Sequence, residues 1–179
     1  MVLSLEQIVQ LIVFILPAYV ANAAPIIFNT GASKMPIDFK MKFIDNKRLL
    51  GGGKTWPGFF VGIISGTGVN AIIAMIFPLY PKFYDHVMIG LLLSLGTMIG
   101  DTIGSFLKRR LGVKHGKPVF LLDQLSFFIV AIAFVYPLKT QFLEFLDLPG
   151  FIFLLILTLI LHPASNILAY KLGMKKVPW

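Results

Sequence analysis

Two aspartates interrupt stretches that are otherwise largely apolar. Asp101 follows Gly96-Thr97-Met98-Ile99-Gly100 and precedes Thr102-Ile103-Gly104-Ser105; Asp123 follows Phe120-Leu121-Leu122 and precedes Gln124. A carboxylate inside an apolar helix is costly and marks a functional candidate by default. Two that converge repel each other unless a cation lies between them. Cysteine is absent, so a thiolate metal site and a cysteine nucleophile are both excluded. Oxygen ligands alone point to a hard ion, Mg²⁺ first among them. Asp101, Gly104, Ser105 and Lys108 fall at i, i+3, i+4 and i+7, which is one face of a helix. On that face Gly104 leaves room, Ser105 offers a hydroxyl, and Lys108 with Arg109 offers positive charge. The competing reading of Asp101 is a structural ion pair with Lys108 or Arg110.

A second segment, Gly51-Gly52-Gly53-Lys54-Thr55, has the makings of a phosphate-contacting loop. Glycines let backbone N–H groups approach an anion, the lysine adds charge, and the threonine adds a hydroxyl. It is not the P-loop of soluble nucleotide hydrolases: that motif needs a glycine five positions before Gly53, where Arg48 stands. Two carboxylates for a divalent ion, several basic groups for phosphates and a glycine-rich loop together give phosphoryl or nucleotidyl transfer as the reaction class. Asn22 and Asn166 add hydrogen-bonding groups within helices, with an interhelical bond as the plainer reading of each. The same plain reading applies to His162.

These groups must be positioned by helices in a membrane. The chain has 179 residues, 57% of them hydrophobic, and a mean hydropathy of +0.85. Such a surface needs an apolar solvent. Five apolar runs, at about 5–28, 58–78, 86–107, 119–138 and 148–170, approach the 20 or so residues that cross a bilayer. Pro137 closes the fourth, which is the weakest of the five. The first lacks a basic start and a cleavage site, so it reads as a retained helix. The predicted fold is therefore all-α, a single transmembrane domain over 1–179 with five spans. Gly58 and Gly62, four apart, predict close helix packing more readily than ligand contact.

The net charge of +8 is unevenly distributed. The segments 29–57, 108–118 and 171–179 hold 14 of the 16 Lys and Arg residues, leaving Lys82 and Lys139 for the other side. That asymmetry predicts an outside N-terminus, a cytoplasmic C-terminus and two cytoplasmic loops, at about 29–57 and 108–118. It also argues against nucleic acid as the partner, since topology and anionic lipid explain most of the charge. Trp56 and Trp179 read as interfacial anchors. The two aspartates then lie at a similar depth near the cytoplasmic ends of adjacent antiparallel helices, Asp101 about 9 Å from its helix end.

Gly100-Asp101 through Ser105, Lys108-Arg109, Gly112, Lys114 and Asp123 resemble the signature of the CTP-dependent phosphatidate cytidylyltransferases, the CDP-diacylglycerol synthases. The small size, Asn22 to Pro25, the Lys47-Arg48 to Gly58 loop and Asp123-Gln124 are more similar to the archaeal branch, the CDP-archaeol synthases. The resemblance spans nearly the whole chain. It departs from the bacterial pattern after Lys114, where His115 follows, and after Asp123, where no second acid follows. What it implies is CTP and an isoprenoid glycerol lipid phosphate as substrates, Mg²⁺ as cofactor, pyrophosphate as product and a cell-membrane location. It further implies that Asp101 and Asp123 hold the metal. Lys54, Thr55, Lys108 and Arg109 would neutralise phosphate charge, with Gly53, Ser105 and Asn22 beside the nucleotide. Lys47, Arg48 or Lys114 would take the lipid phosphate. The main rival is a transporter or channel for a phosphorylated solute. Against it stand the absence of an internal repeat and the position of the acids near one face.

Overall fold

Ser4 starts the first helix with a reciprocal cap: its hydroxyl accepts from the Gln7 N–H at 3.1 Å, and the Gln7 side chain accepts from the Ser4 N–H at 3.0 Å. The helices of this computed structural model, which describes residues 3–28, 30, 35–114, 116–138, 143–175 and 177–178, follow the apolar runs. They are α1 (Leu5–Ile27), α2 (Trp56–Ile76), α3 (Phe83–Arg110), α4 (Leu122–Val135, continued by a 3₁₀ turn Tyr136–Leu138) and α5 (Leu148–Lys171). Thr55 and Asp147 cap α2 and α5, each ahead of a proline in the first turn, where a missing N–H costs nothing. Asn29, Gly31, His115, Lys139, Lys176 and Trp179 lie outside the described residues.

Four of the five helices, α1, α2, α3 and α5, are long and apolar enough to cross a membrane. α3 has 28 residues, about 42 Å at helical rise, so it outruns a hydrocarbon core of about 30 Å. α4 is shorter because Val119 to Leu121, counted within its apolar run, belong to the entering loop, with Leu121 at a φ of 68°.

α3 is the central element. It packs along α2 on one side and α4 on the other, while α5 rests more lightly on α4 and α1. Backbone proximity explains the glycines. A β-carbon on Gly62 would lie 2.8 Å from the Ala21 carbonyl of α1, and one on Gly100 would lie 2.7 Å from the Phe127 Cα of α4. The packing reading of Gly62 therefore holds, and it extends to Gly96, Gly100 and Gly104 on α3. Phe14, Leu93, Phe127 and Phe128 fill the centre. Large apolar side chains such as Ile64, Met75, Ile156 and Ile160 point outward, as lipid solvation requires.

The α1–α2 connection is ordered where it is described. Two isolated bridges, Pro36 with Thr55 and Lys42 with Arg48, fold it into a hairpin. Its centre is Asp38, only 2% exposed, which sequence reasoning passed over. The Asp38 carboxylate accepts from Arg48 Nε and NH2 (3.1 and 2.7 Å) and from the backbone N–H groups of Lys40, Leu50 and Gly51 (3.0, 3.2 and 3.2 Å). Arg110 fastens the hairpin to the end of α3. It donates to Asp45 and to the Arg48 carbonyl, each at 2.6 Å, and its guanidinium lies over the Phe43 and Phe106 rings.

Burial alone would push the Asp38 carboxyl up, but Arg48 and the three backbone donors outweigh it and hold it down at about 2, from an ordinary 3.8. A depressed carboxylate stabilises the fold above its unfolded value, and that stability is lost as pH falls from about 4 through about 2. Asp38→Asn is therefore expected to lower the thermal midpoint in detergent at pH 7, by about 3 kcal/mol of stability. It should also flatten the acid limb of midpoint against pH. A variant with the wild-type midpoint at pH 7 and pH 4 would show that Asp38 does not hold the hairpin.

Candidate active site

The hairpin, both ends of the α3–α4 connection and the chain following α5 meet at one end of the bundle. Between them is a polar cavity of about 520 Å³, bordered by Asn22 of α1, Gly53 and Lys54 of the hairpin, Asp101 and Lys108 of α3, and Asp123 of α4. The two aspartates that the sequence singled out thus face one space. Each already has an ammonium partner. Lys54 Nζ donates to Asp101 Oδ2, and Lys108 Nζ donates to Asp123 Oδ1 at 2.5 Å. The lysine of the glycine-rich loop is thus aimed across the cavity at α3.

The carboxylates are not at one depth. Gly100 lies against Phe127 and Gly104 against Ser126 and Leu122. Asp101 is thus level with about residue 126 of α4, and Asp123 with about residue 104 of α3, an offset of about 4.5 Å along the axes. The reason is that α3 runs on to Arg110 while α4 begins only at Leu122. Asp123 therefore stands in the first turn of α4. Its Oδ2 accepts from the Val119 N–H at 2.9 Å, so it organises the entry to the helix as well as facing the cavity.

Other residues singled out from sequence do different work. Thr55 is buried as the cap of α2: its hydroxyl donates to the Thr30 carbonyl at 3.0 Å and accepts from the Gly58 N–H at 3.2 Å. The room expected beside Gly104 is filled by Ser126. Ser105 is buried and does not border the cavity. Arg48 is committed to Asp38. Arg109 donates to the Lys114 carbonyl at 3.4 Å, and Lys114 itself is exposed; neither borders the cavity. Lys47 donates to the Arg110 carbonyl at 3.2 Å, on the outer surface.

In their place the structure brings in Lys117 and Lys175. Sequence reasoning counted both only as topological charge. No local pattern separates them from the lysines that stay outside.

A second space, apolar and about 650 Å³, runs between α1 and α5. Tyr19 and Val20 of α1, Leu161 and Leu168 of α5 and Phe127 of α4 are among its walls. Tyr19 pins the two helices together through a hydrogen bond to Thr158 at 2.8 Å. Asn22, Ile26, His162, Asn166 and Met174 border both spaces. The polar cavity therefore opens directly onto an apolar groove. Such a pair of compartments suits a molecule with a charged head and an apolar tail.

The comparisons with known proteins agree. A family model described as CarS-like, CDP-archaeol synthase, matches residues 4–179. The CDP-archaeol synthase of Pyrococcus horikoshii is 44% identical over 99% of this chain and 100% of its own. That of Methanococcus aeolicus is 44% identical over 96% of this chain and 97% of its own. A solved structure, described as an intramembrane enzyme for archaeal membrane lipids biosynthesis, matches with a TM-score of 0.75 and 33% identity, over 87% of this chain and 92% of that one. On the match over almost its whole length and on the level of identity, the chain belongs to the CDP-archaeol synthase family.

Proposed function

We propose that this chain transfers a cytidylyl group from CTP to an isoprenoid glycerol lipid phosphate, releasing pyrophosphate, at the cytoplasmic face of an archaeal cell membrane. The observation that carries this reading is the shared wall between the polar cavity and the apolar groove. A triphosphate fits the lysine-rich compartment, and isoprenoid chains fit the other. Transport of a phosphorylated solute is not favoured by the family to which the chain belongs.

A lipid phosphate oxygen attacks the α-phosphorus of CTP; the new P–O bond forms as the bond to the β-phosphate oxygen breaks and pyrophosphate leaves. The nucleophile is ionised near neutral pH, so no serine or histidine base is needed. Lys54 and Lys108 face the triphosphate and offset charge gathering on the leaving group. Asn22 orients a bound phosphate or ribose hydroxyl from the opposite wall.

Mg²⁺ fits the donor set. Among the described residues no group of three or more His, Asp or Glu side chains gathers to hold a metal, so the protein would offer Asp101 and Asp123 only. Mg²⁺ is commonly held by one or two carboxylates, with substrate phosphates and waters completing the shell. When bound it supplies charge neutralisation and a template for the triphosphate.

The same site supports the membrane arrangement. Basic segments after α1, between α3 and α4 and after α5 converge on one cavity. Five crossings, with α4 as the shortest, an outside N-terminus and a cytoplasmic C-terminus meet that convergence and the positive-inside bias together. The whole chain then forms one catalytic domain.

Purified protein in liposomes, given CTP, Mg²⁺ and a diether isoprenoid glycerol phosphate, is expected to yield the CDP-lipid and pyrophosphate by mass spectrometry. Omitting Mg²⁺ should abolish the product. Flux of a phosphorylated solute across the liposome with no new lipid would overturn the reading.

A further inference from the structure

Lys175 lies beyond the end of α5, in a segment that turns back over the polar cavity. Its ammonium donates to Asn166 Oδ1 at 2.9 Å. Asn166 borders both the polar cavity and the apolar groove, as does Met174, the residue before Lys175. The cation is therefore held at the boundary between the two compartments. Lys54 and Lys108 are engaged with Asp101 and Asp123 within the same polar space. His162 also borders both spaces, and its Nδ1 is shielded from solvent with no hydrogen-bond partner among the described residues. A polar ring and a tethered ammonium thus both stand at the junction of the two spaces.

Building on the cytidylyl-transfer reading, we infer that Lys175, oriented by Asn166, binds the phosphate of the lipid acceptor, while Lys54 and Lys108 serve the nucleotide. The residues first offered for the acceptor do not face this boundary. Arg48 is paired with Asp38, Lys47 bonds the end of α3 on the outer surface, and Lys114 is exposed away from the cavity. Burial pushes the Lys175 ammonium below its ordinary value; Asp123 opposes that, and Lys54 and Lys108 add to it. The division of labour also has a chemical rationale. Nucleophile and leaving group must lie on opposite sides of the α-phosphorus, so separate cations for each keep the acceptor from competing for the nucleotide's site.

The test separates the two substrates. Lys175→Met keeps the aliphatic stem and removes the charge; Lys175→Arg restores charge. Binding of a short-chain diether glycerol phosphate and of CTP is measured separately on detergent-solubilised protein, without turnover. Lys175→Met is expected to weaken lipid-phosphate binding about 10- to 100-fold, the range of a lost charge-assisted hydrogen bond. CTP affinity should stay within about twofold, and Lys175→Arg should recover most of the loss. In turnover assays the KM for lipid should rise with the KM for CTP unchanged. Equal weakening of both ligands, or unchanged lipid-phosphate binding, would overturn the assignment. The wild-type product assay reports on the cytidylyl-transfer reading itself, so failure there and failure here are told apart.

Discussion

Asp101→Asn is expected to lower turnover at least about 1,000-fold while leaving the protein folded. Asparagine has nearly the same volume as aspartate but neither its charge nor its strength as a ligand for a hard cation. The loss corresponds to about 4 kcal/mol of transition-state stabilisation, in the range of removing a principal electrostatic contributor from a shielded site. Folding should be spared, because the ion pair with Lys54 is partly exposed and Asp101 caps no helix. Asp123→Asn should cost comparable activity and some stability too. Asp123 accepts from both Lys108 and Val119; an amide that keeps one acceptor turns an NH₂ group toward the other donor. The measurements are initial rates of CDP-lipid formation across a Mg²⁺ titration, with thermal midpoints of each variant. Wild-type activity in Asp101→Asn would remove the carboxylates from the proposed metal site.

The second large effect is structural and concerns a glycine. A β-carbon at Gly100 would meet the Phe127 Cα at 2.7 Å and the Val130 Cβ at 2.9 Å on α4. Contacts that close do not survive, and a backbone atom cannot swing aside as a side-chain tip can. Gly100→Ala should therefore force α3 and α4 apart, costing about 3 kcal/mol or more and lowering the thermal midpoint by about 10 °C. Activity should fall as well, because Asp101 follows Gly100 directly and Asp123 rides on α4. Gly68 provides the matched control. It lies in α2 with nothing near the position of its β-carbon, so Gly68→Ala should leave the midpoint unchanged or slightly higher. Equal behaviour of the two variants would mean that the α3–α4 contact is looser than described.

Some of this was legible in the amino-acid sequence. The apolar runs foretold the helices because hydropathy is a local sum along the chain. The fourth run is the instructive one. Its count included Val119 to Leu121, which loop geometry assigns elsewhere, since periodicity does not mark where a helix begins. Asp101, Asp123 and Lys54 were found because a charge in an apolar span and a lysine after three glycines are conspicuous by type. Asp38 was missed for the opposite reason. It stands in a loop where an acid attracts no attention, and only the chain's return path from Arg48 to Gly51 buries it.

By itself, then, the sequence determined the kind of protein this is, a helical membrane protein, together with the end of the bundle that carries basic charge and the two acids inside it. These are properties of residue type and order, additive along the chain. Only the tertiary structure decided which basic groups border the cavity that holds those acids. Arg48, Arg109 and Lys114 were turned to structural bonds or to solvent, while Lys175 was brought in from beyond the last helix. That outcome depends on how loops cross one another in space, because a flexible side chain takes the partner its backbone path puts within reach.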